Sequence, residues 1–214
     1  MAKKGVLKMN EVIKFIEEKK ILPVVVINNI NDTVPLMKAL VEGGLPVAEI
    51  TFRTECAADA IRLAVKDFPK MIIGAGTVIN SHQCLEAIAC GAKFIVSPGF
   101  SGSVASVCKT SGIPYFPGCL TPTEIMQAIE CGINTVKFFP AKEFGGLKAI
   151  KSLGAAFPSV KFVPTGGVNN SNLEEFLSCD KIFACGGSWL LKGSYDEIVQ
   201  TVKEAVKIVS GGNK

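Results

Sequence analysis

LPVVVINNIND, residues 22–32, is a β-rich apolar run that passes into a polar loop without a single glycine. An open doubly wound sheet usually closes its first strand with a glycine-rich phosphate loop at this point. The nearest substitute, GAG at 74–76, lacks the third glycine, since Ile79 stands in its place. No Gly-Lys dipeptide exists, so there is no Walker A loop either. Further apolar runs of the same kind begin near Val47, Met71, Phe94, Tyr115, Thr135, Lys161 and Ile182, at spacings of 20–26 residues. Segments with helical periodicity lie between them. Eight strand–helix units without a linker or a shift in composition predict an α/β fold, a (β/α)8 TIM barrel in one domain over residues 1–214. Met9–Lys20 reads as an extra amphipathic helix ahead of the first strand.

Two helix starts are legible in detail. In TPTEIMQAIECG, Thr121 fits an N-cap, Pro122 the first helical position and Glu124 the third, which makes a capping box. Gly132 is placed to end that helix, because it tolerates the left-handed backbone of a C-cap. Ser194 with Glu197 repeats the box before YDEIVQTVKEAVKIVS.

Composition narrows the function classes. The chain has 214 residues, 48% of them hydrophobic and 20% charged, which belongs to a folded domain and not to a disordered one. A net charge of +4 with no long basic tract reads as a basic surface; no nucleic-acid partner is expected. The longest apolar run, ILPVVVI at 21–27, falls far short of the ~20 residues that span a bilayer. The basic start MAKKGVLKMNEV has no apolar stretch after it, so neither a signal peptide nor a membrane partner is expected. Eight cysteines are scattered singly, with no C-x-x-C, as in a reduced cytoplasmic chain. His82, the one histidine, sits in NSHQC and reads as a surface residue at a helix start. A His-rich zinc site cannot be built from it, and no carboxylate cluster marks a metal, so no metal and no cofactor are expected.

Polar residues on the strands carry the chemistry. In VAEITFR, alternation puts Ala48, Ile50 and Phe52 on one side and Glu49, Thr51 and Arg53 on the other. The apolar set faces the helices, so a carboxylate and a guanidinium point inward, as site groups or as a structural Glu–Arg pair. TVKFFP holds Lys137 among apolar neighbours, on the side opposite Val136 and Phe138. Burial disfavours the charged form of an amine, and the neutral amine is the form that attacks a carbonyl. Snorkelling to the rim is the alternative for such a lysine. An inward lysine facing an inward glutamate can make a Schiff base and move the protons it needs. Two glycine-bearing turns, PTGGV at 164–168 and GGSWL at 186–190, follow the seventh and eighth strands. Their amides, with a short helix starting at Ser188, can cradle a phosphate where barrels often keep one.

The motifs EITFRTECA (49–57), GAGTV (74–78), SPGF (97–100), VKFFPA (136–141), PTGGV and GGSWL stand in the order of one known family. Over about residues 21–190 the chain resembles the 2-keto-3-deoxy-6-phosphogluconate aldolases, bacterial class I enzymes that are often 4-hydroxy-2-oxoglutarate aldolases too. The resemblance implies a homotrimer of (β/α)8 barrels that cleaves a phosphorylated keto acid to pyruvate and glyceraldehyde 3-phosphate. It implies Lys137 as the Schiff-base lysine and Glu49 as the general acid/base. Arg53 and Thr77 would hold the pyruvate carboxylate, Pro98 would pack on the substrate, and Thr165 would face its hydroxyl-bearing carbons. Gly166, Gly167, Gly187 and Ser188 would bind the phosphate. The related phosphogalactonate aldolases usually lack the arginine after the second strand, so RTECA favours the gluconate branch. PGCLTPTE at 117–124 departs from the family's usual loop and leaves substrate breadth open. A non-catalytic barrel that binds phosphorylated ligands, and an isomerase or synthase using Lys137 as an acid or anchor, remain the alternatives.

Overall fold

The computed structural model describes residues 9–211. The basic start of the chain, through residue 8, and residues 212–214 lie outside the described residues. Helix α1 (Met9–Lys19) buries Val12 and Ile16 on one face and leads into β1 (Ile21–Val25). The chain then alternates: α2 (Thr33–Glu42), β2 (Val47–Thr51), α3 (Ala57–Asp67), β3 (Ile72–Gly76), α4 (Ser81–Ala89), β4 (Ile95–Val96), α5 (Gly102–Ser111) and β5 (Tyr115–Phe116). The second half continues with α6 (Pro122–Glu130), β6 (Thr135–Phe138), α7 (Gly146–Ala156), β7 (Lys161–Pro164), α8 (Leu173–Leu177), β8 (Cys185–Gly187) and α9 (Tyr195–Gly211).

The strands form a curled parallel sheet of six, in the order β5-β4-β3-β2-β1-β8, and a parallel pair, β6-β7. Isolated bridges Gly118–Lys137, Phe162–Ile182 and Thr165–Gly186 lie between the two sheets. Every residue of β1, β2 and β3 is buried, as parallel strands covered on both faces must be. One cluster of buried side chains runs from Val12 to Ala205.

The eighth strand begins later than the apolar pattern predicts. Phe183 N–H donates to Phe162 O at 2.9 Å, whereas Cys185 N–H donates to Lys20 O at 2.8 Å. The chain meets β7 first and takes on β1 as well from Cys185, where the ladder proper starts, while Gly186 still bridges Thr165. The predicted capping box is present: Thr121 Oγ1 accepts from Glu124 N–H, and the Glu124 carboxylate accepts from Thr121 N–H at 2.8 Å. Gly132 has φ +81°, a backbone that favours glycine. Ser194 N–H donates to Glu197 Oε2 at 2.7 Å ahead of α9.

Candidate active site

Parallel strands present their carboxyl ends together, and here those of β1, β2, β6, β7 and β8 surround a cleft of about 340 Å³. Lys137, in the middle of β6, projects into it from among buried apolar neighbours and is only 4% exposed. Its Nζ donates to Glu49 Oε1 at 3.2 Å, from the middle of β2. The ammonium also lies 5.5 Å from the centroid of the Phe139 ring. A charged pair out of water survives only when each partner is matched, and this one is.

Glu49 fits because Gly76, on the neighbouring strand, has no side chain. A Cβ built there would stand 2.1 Å from Glu49 Oε1. Gly74, two residues earlier on the same face, leaves equivalent room for the Phe94 ring. The sequence shows GAG only as an incomplete phosphate motif; its use here is to seat a carboxylate and an aromatic ring.

Strand β2 stops at Thr51, so Arg53 belongs to the following turn and is exposed, while still lining the cleft. The Glu49–Arg53 pair that alternation allowed does not form, because Glu49 turns to Lys137. Arg53 Nε instead donates to Thr77 Oγ1 at 2.9 Å. Thr77 holds φ +55°, a left-handed backbone that is costly for a β-branched residue. That conformation turns its hydroxyl to the arginine. Phe52, expected against the helices, is half-buried and packs on the core.

The far wall comes from the two glycine-bearing turns. Thr165 is buried at the end of β7, and Gly166 and Gly167 follow with φ +92° and +83°. Asn172 ties this turn down: its Nδ2 donates to Gly167 O at 2.9 Å and its Oδ1 accepts from Asn169 N–H at 2.8 Å. Gly187 faces the ring of Trp189, which a Cβ would meet at 2.4 Å. The helix expected at Ser188 is a single 3-10 turn, Trp189–Leu191, capped by Ser188 without a side-chain hydrogen bond. A turn that short gathers almost no macrodipole, so any anion there is met by individual N–H groups.

Of the predicted residues, Lys137, Arg53, Thr165, Gly166, Gly167, Gly187 and Ser188 line one cleft, Glu49 lies directly behind Lys137, and Thr77 joins through Arg53. Pro98 is exposed and stands outside the lining residues; its carbonyl packs against Gly118, where a Cβ would approach it to 2.0 Å. His82 is exposed on α4. Sequence reasoning missed Trp189, Asn169 and Lys192, which also line the cleft. Trp189 stood inside a quoted motif and could have been found there; the other two carry no pattern. All eight cysteines are free. Burial pushes the thiols of Cys119 and Cys185 up to about 12, so both stay neutral at physiological pH.

Comparison with known proteins agrees with this arrangement. The sequence model of the KDPG and KHG aldolase family matches residues 12–205. The chain is 40% identical over 205 residues to the 2-dehydro-3-deoxy-phosphogluconate aldolase of Haemophilus influenzae, covering 93% of this chain and 97% of that one. A solved 2-keto-3-deoxy-6-phosphogluconate aldolase of Zymomonas mobilis with 3-phosphoglycerate superposes with a TM-score of 0.87 at 36% identity, over 92% of this chain and 95% of that one. The KDPG aldolase of Legionella pneumophila, with pyruvate captured as a covalent carbinolamine intermediate, gives 0.83 at 35% identity over 96% and 98%. With a family match along nearly its whole length and relatives this close, the chain belongs to the KDPG and KHG aldolase family.

Proposed function

We propose that the protein is a class I aldolase, a metal-independent carbon–carbon lyase, that cleaves 2-dehydro-3-deoxy-6-phosphogluconate to pyruvate and glyceraldehyde 3-phosphate. It would also cleave 4-hydroxy-2-oxoglutarate to pyruvate and glyoxylate. The observation that carries this reading is the buried contact of Lys137 Nζ with Glu49 Oε1, 3.2 Å, on the floor of the cleft. Glu49 takes a proton from the Lys137 ammonium, and the freed amine attacks the C2 carbonyl of the keto acid. Glu49 then returns the proton to the departing hydroxyl as the carbinolamine loses water to become an imine. Loss of the C4 hydroxyl proton then breaks the C3–C4 bond, and the electron pair is held as the enamine of pyruvate. Protonation at C3 and hydrolysis release pyruvate and restore the amine. The imine is the electron sink, so no cofactor enters the scheme.

Arg53, oriented by Thr77, takes the C1 carboxylate, for which a planar guanidinium can offer two parallel donors. Thr165 faces the hydroxyl-bearing carbons and the turns at Gly166, Gly167, Gly187 and Ser188 receive the phosphate, while Pro98, outside the lining residues, takes no substrate contact in this scheme. The carbinolamine captured in the Legionella relative supports the covalent route, and 3-phosphoglycerate with the Zymomonas relative supports a phosphorylated ligand. The eight strands would close into a single-domain (β/α)8 barrel; the bridges at Gly118–Lys137 and Thr165–Gly186 favour closure. A cytoplasmic homotrimer completes the proposal. Exposed Ile79, Leu85, Met126 and Phe144 offer apolar surface for subunit contacts, and no described helix is long and apolar enough to cross a membrane.

Trapping tests the centre of the scheme. Borohydride added with pyruvate is expected to abolish activity and to leave one reduced pyruvyl adduct, located by peptide mass at Lys137. An adduct on another lysine, or full activity after treatment, would remove Lys137 from the reaction.

A further inference from the structure

The cleft contains two cations with no counter-charge. Lys137 is matched by Glu49, but none of the described residues lining the cleft is acidic. Arg53 enters from the turn after β2 and Lys192 from the segment after β8, so the two flank β1 on either side. Among the described residues neither makes an ion pair. The nearby Glu197 carboxylate is engaged by the backbone and hydroxyl of Ser194. A ligand suited to such walls carries an anionic group toward each cation. Arg53 is proposed above for the carboxylate, which leaves Lys192 facing the other anion.

The main chain at Lys192 is also fixed. It caps the 3-10 turn Trp189–Leu191 in an extended conformation, φ −101° and ψ 138°. Trp189 in that turn packs over Gly187, and its Nε1 donates to Asn170 Oδ1 at 2.8 Å. Asn170 in turn donates to Thr201 O of α9 at 3.2 Å. The lysine therefore leaves an anchored backbone with a free ammonium beside the turns that present only neutral N–H groups. A phosphate dianion at those amides alone would be hydrogen-bonded but not neutralised, and a lysine ammonium binds phosphate as a point charge.

We propose that Lys192 is a specificity-determining residue that supplies the cation for the substrate's phosphate and sets the preference for phosphorylated over unphosphorylated keto acids. This rests on the aldolase reading above. The test compares wild type, Lys192→Gln, Lys192→Arg and, as a charge control on α5, Lys109→Gln. Each is assayed on 2-dehydro-3-deoxy-6-phosphogluconate and on its dephospho analogue, from about 20 to about 300 mM NaCl. The ratio of the two kcat/KM values is expected to fall about tenfold in Lys192→Gln, through KM, the worth of one solvent-facing charged contact. Lys192→Arg should keep at least about a third of the ratio, and Lys109→Gln all of it. Salt should erode the ratio in wild type more than in Lys192→Gln.

A ratio in Lys192→Gln within twofold of wild type overturns the assignment while leaving the aldolase reading in place. An equal loss in Lys109→Gln or in Lys192→Arg overturns it as well. Cleavage of neither substrate by wild type overturns the aldolase reading instead. Equilibrium dialysis of labelled inorganic phosphate then judges Lys192 separately: binding about tenfold weaker in Lys192→Gln supports the phosphate contact, and equal binding or none in wild type overturns it.

Discussion

Glu49 and Lys137 are 88 residues apart in the chain and 3.2 Å apart in the fold. Their side chains are only 1% and 5% exposed, so neither is compensated by bulk water. Glu49→Gln keeps the shape and an acceptor for Lys137 but removes the proposed proton carrier. Turnover is expected to fall by about 10²–10⁴-fold, the usual worth of a positioned acid/base, measured by coupled pyruvate release. A rate within a fewfold of wild type would return Glu49 to a structural role. Gly76→Ala tests the same carboxylate from behind. The new Cβ would overlap Glu49 Oε1, and Gly76 is not among the positive-φ glycines, so the backbone itself accepts alanine. Displacing a catalytic group by about 1 Å can cost about 10²-fold in rate, while overpacking typically costs about 1–3 kcal/mol in stability. Steady-state kinetics beside a denaturation curve should show the loss in kcat on a protein that still folds. Unchanged kcat would mean that the carboxylate has a second place to sit.

At the scale of elements, the segment that leads into α6 holds the backbone of Lys137 in place. Residues 117–119 pair with β6 along the edge opposite β7: Lys137 N–H donates to Pro117 O at 2.8 Å, and Cys119 N–H donates to Lys137 O at 2.9 Å. That segment ends at the capping box of Thr121 and Glu124. Burial pushes the Glu124 carboxyl up, but hydrogen bonds from the Leu120 and Thr121 amides and the Thr121 hydroxyl outweigh it and hold the carboxyl below its ordinary 4.5. A group depressed on folding stabilises the native state above its unfolded value and loses that contribution as pH falls through the folded one. Thr121→Ala should therefore cost about 0.5–2 kcal/mol near neutrality, by urea unfolding. Wild type and Glu124→Gln should differ at pH 7 and converge as the pH falls below 4.5. A gap that widens on acidification would contradict the cap.

Over the whole molecule, the cysteines report how the sheets and helices are covered. Six of the eight are buried, and only Cys56 and Cys131 are half-buried. Cys84 on α4 and Cys108 on α5 lie with sulfurs 3.6 Å apart as a thiol contact between neighbouring helices. Thiol titration of the native protein is expected to find at most two fast-reacting groups, and all eight after unfolding in denaturant. Rapid reaction of more than two would show that the core opens or that the helical layer is loose.

Much of the protein was legible along the chain because it depends on neighbours in sequence. The capping boxes at Thr121 and Ser194, the left-handed Gly132 and the regular return of apolar strands all rest on local backbone chemistry and on period. The inward Glu49 and Lys137 followed from two-residue alternation, which sends a polar residue to the face its apolar neighbours leave. Contacts between distant strands were not legible. Alternation could not choose between Arg53 and Lys137 as the partner of Glu49, since that depends on where β2 stops and how β6 faces it. Nor could it show that Gly76 is bare to seat a carboxylate, that the helix at Ser188 shrinks to one turn, or that Lys192 shares a wall with the glycine turns. The sequence by itself determined which strands form and which residues turn inward, because those follow from periodicity and local conformational preference. Only the tertiary structure decided which inward groups meet, because a distance of 3.2 Å across 88 residues is set by the packing of whole elements and by nothing local to either residue.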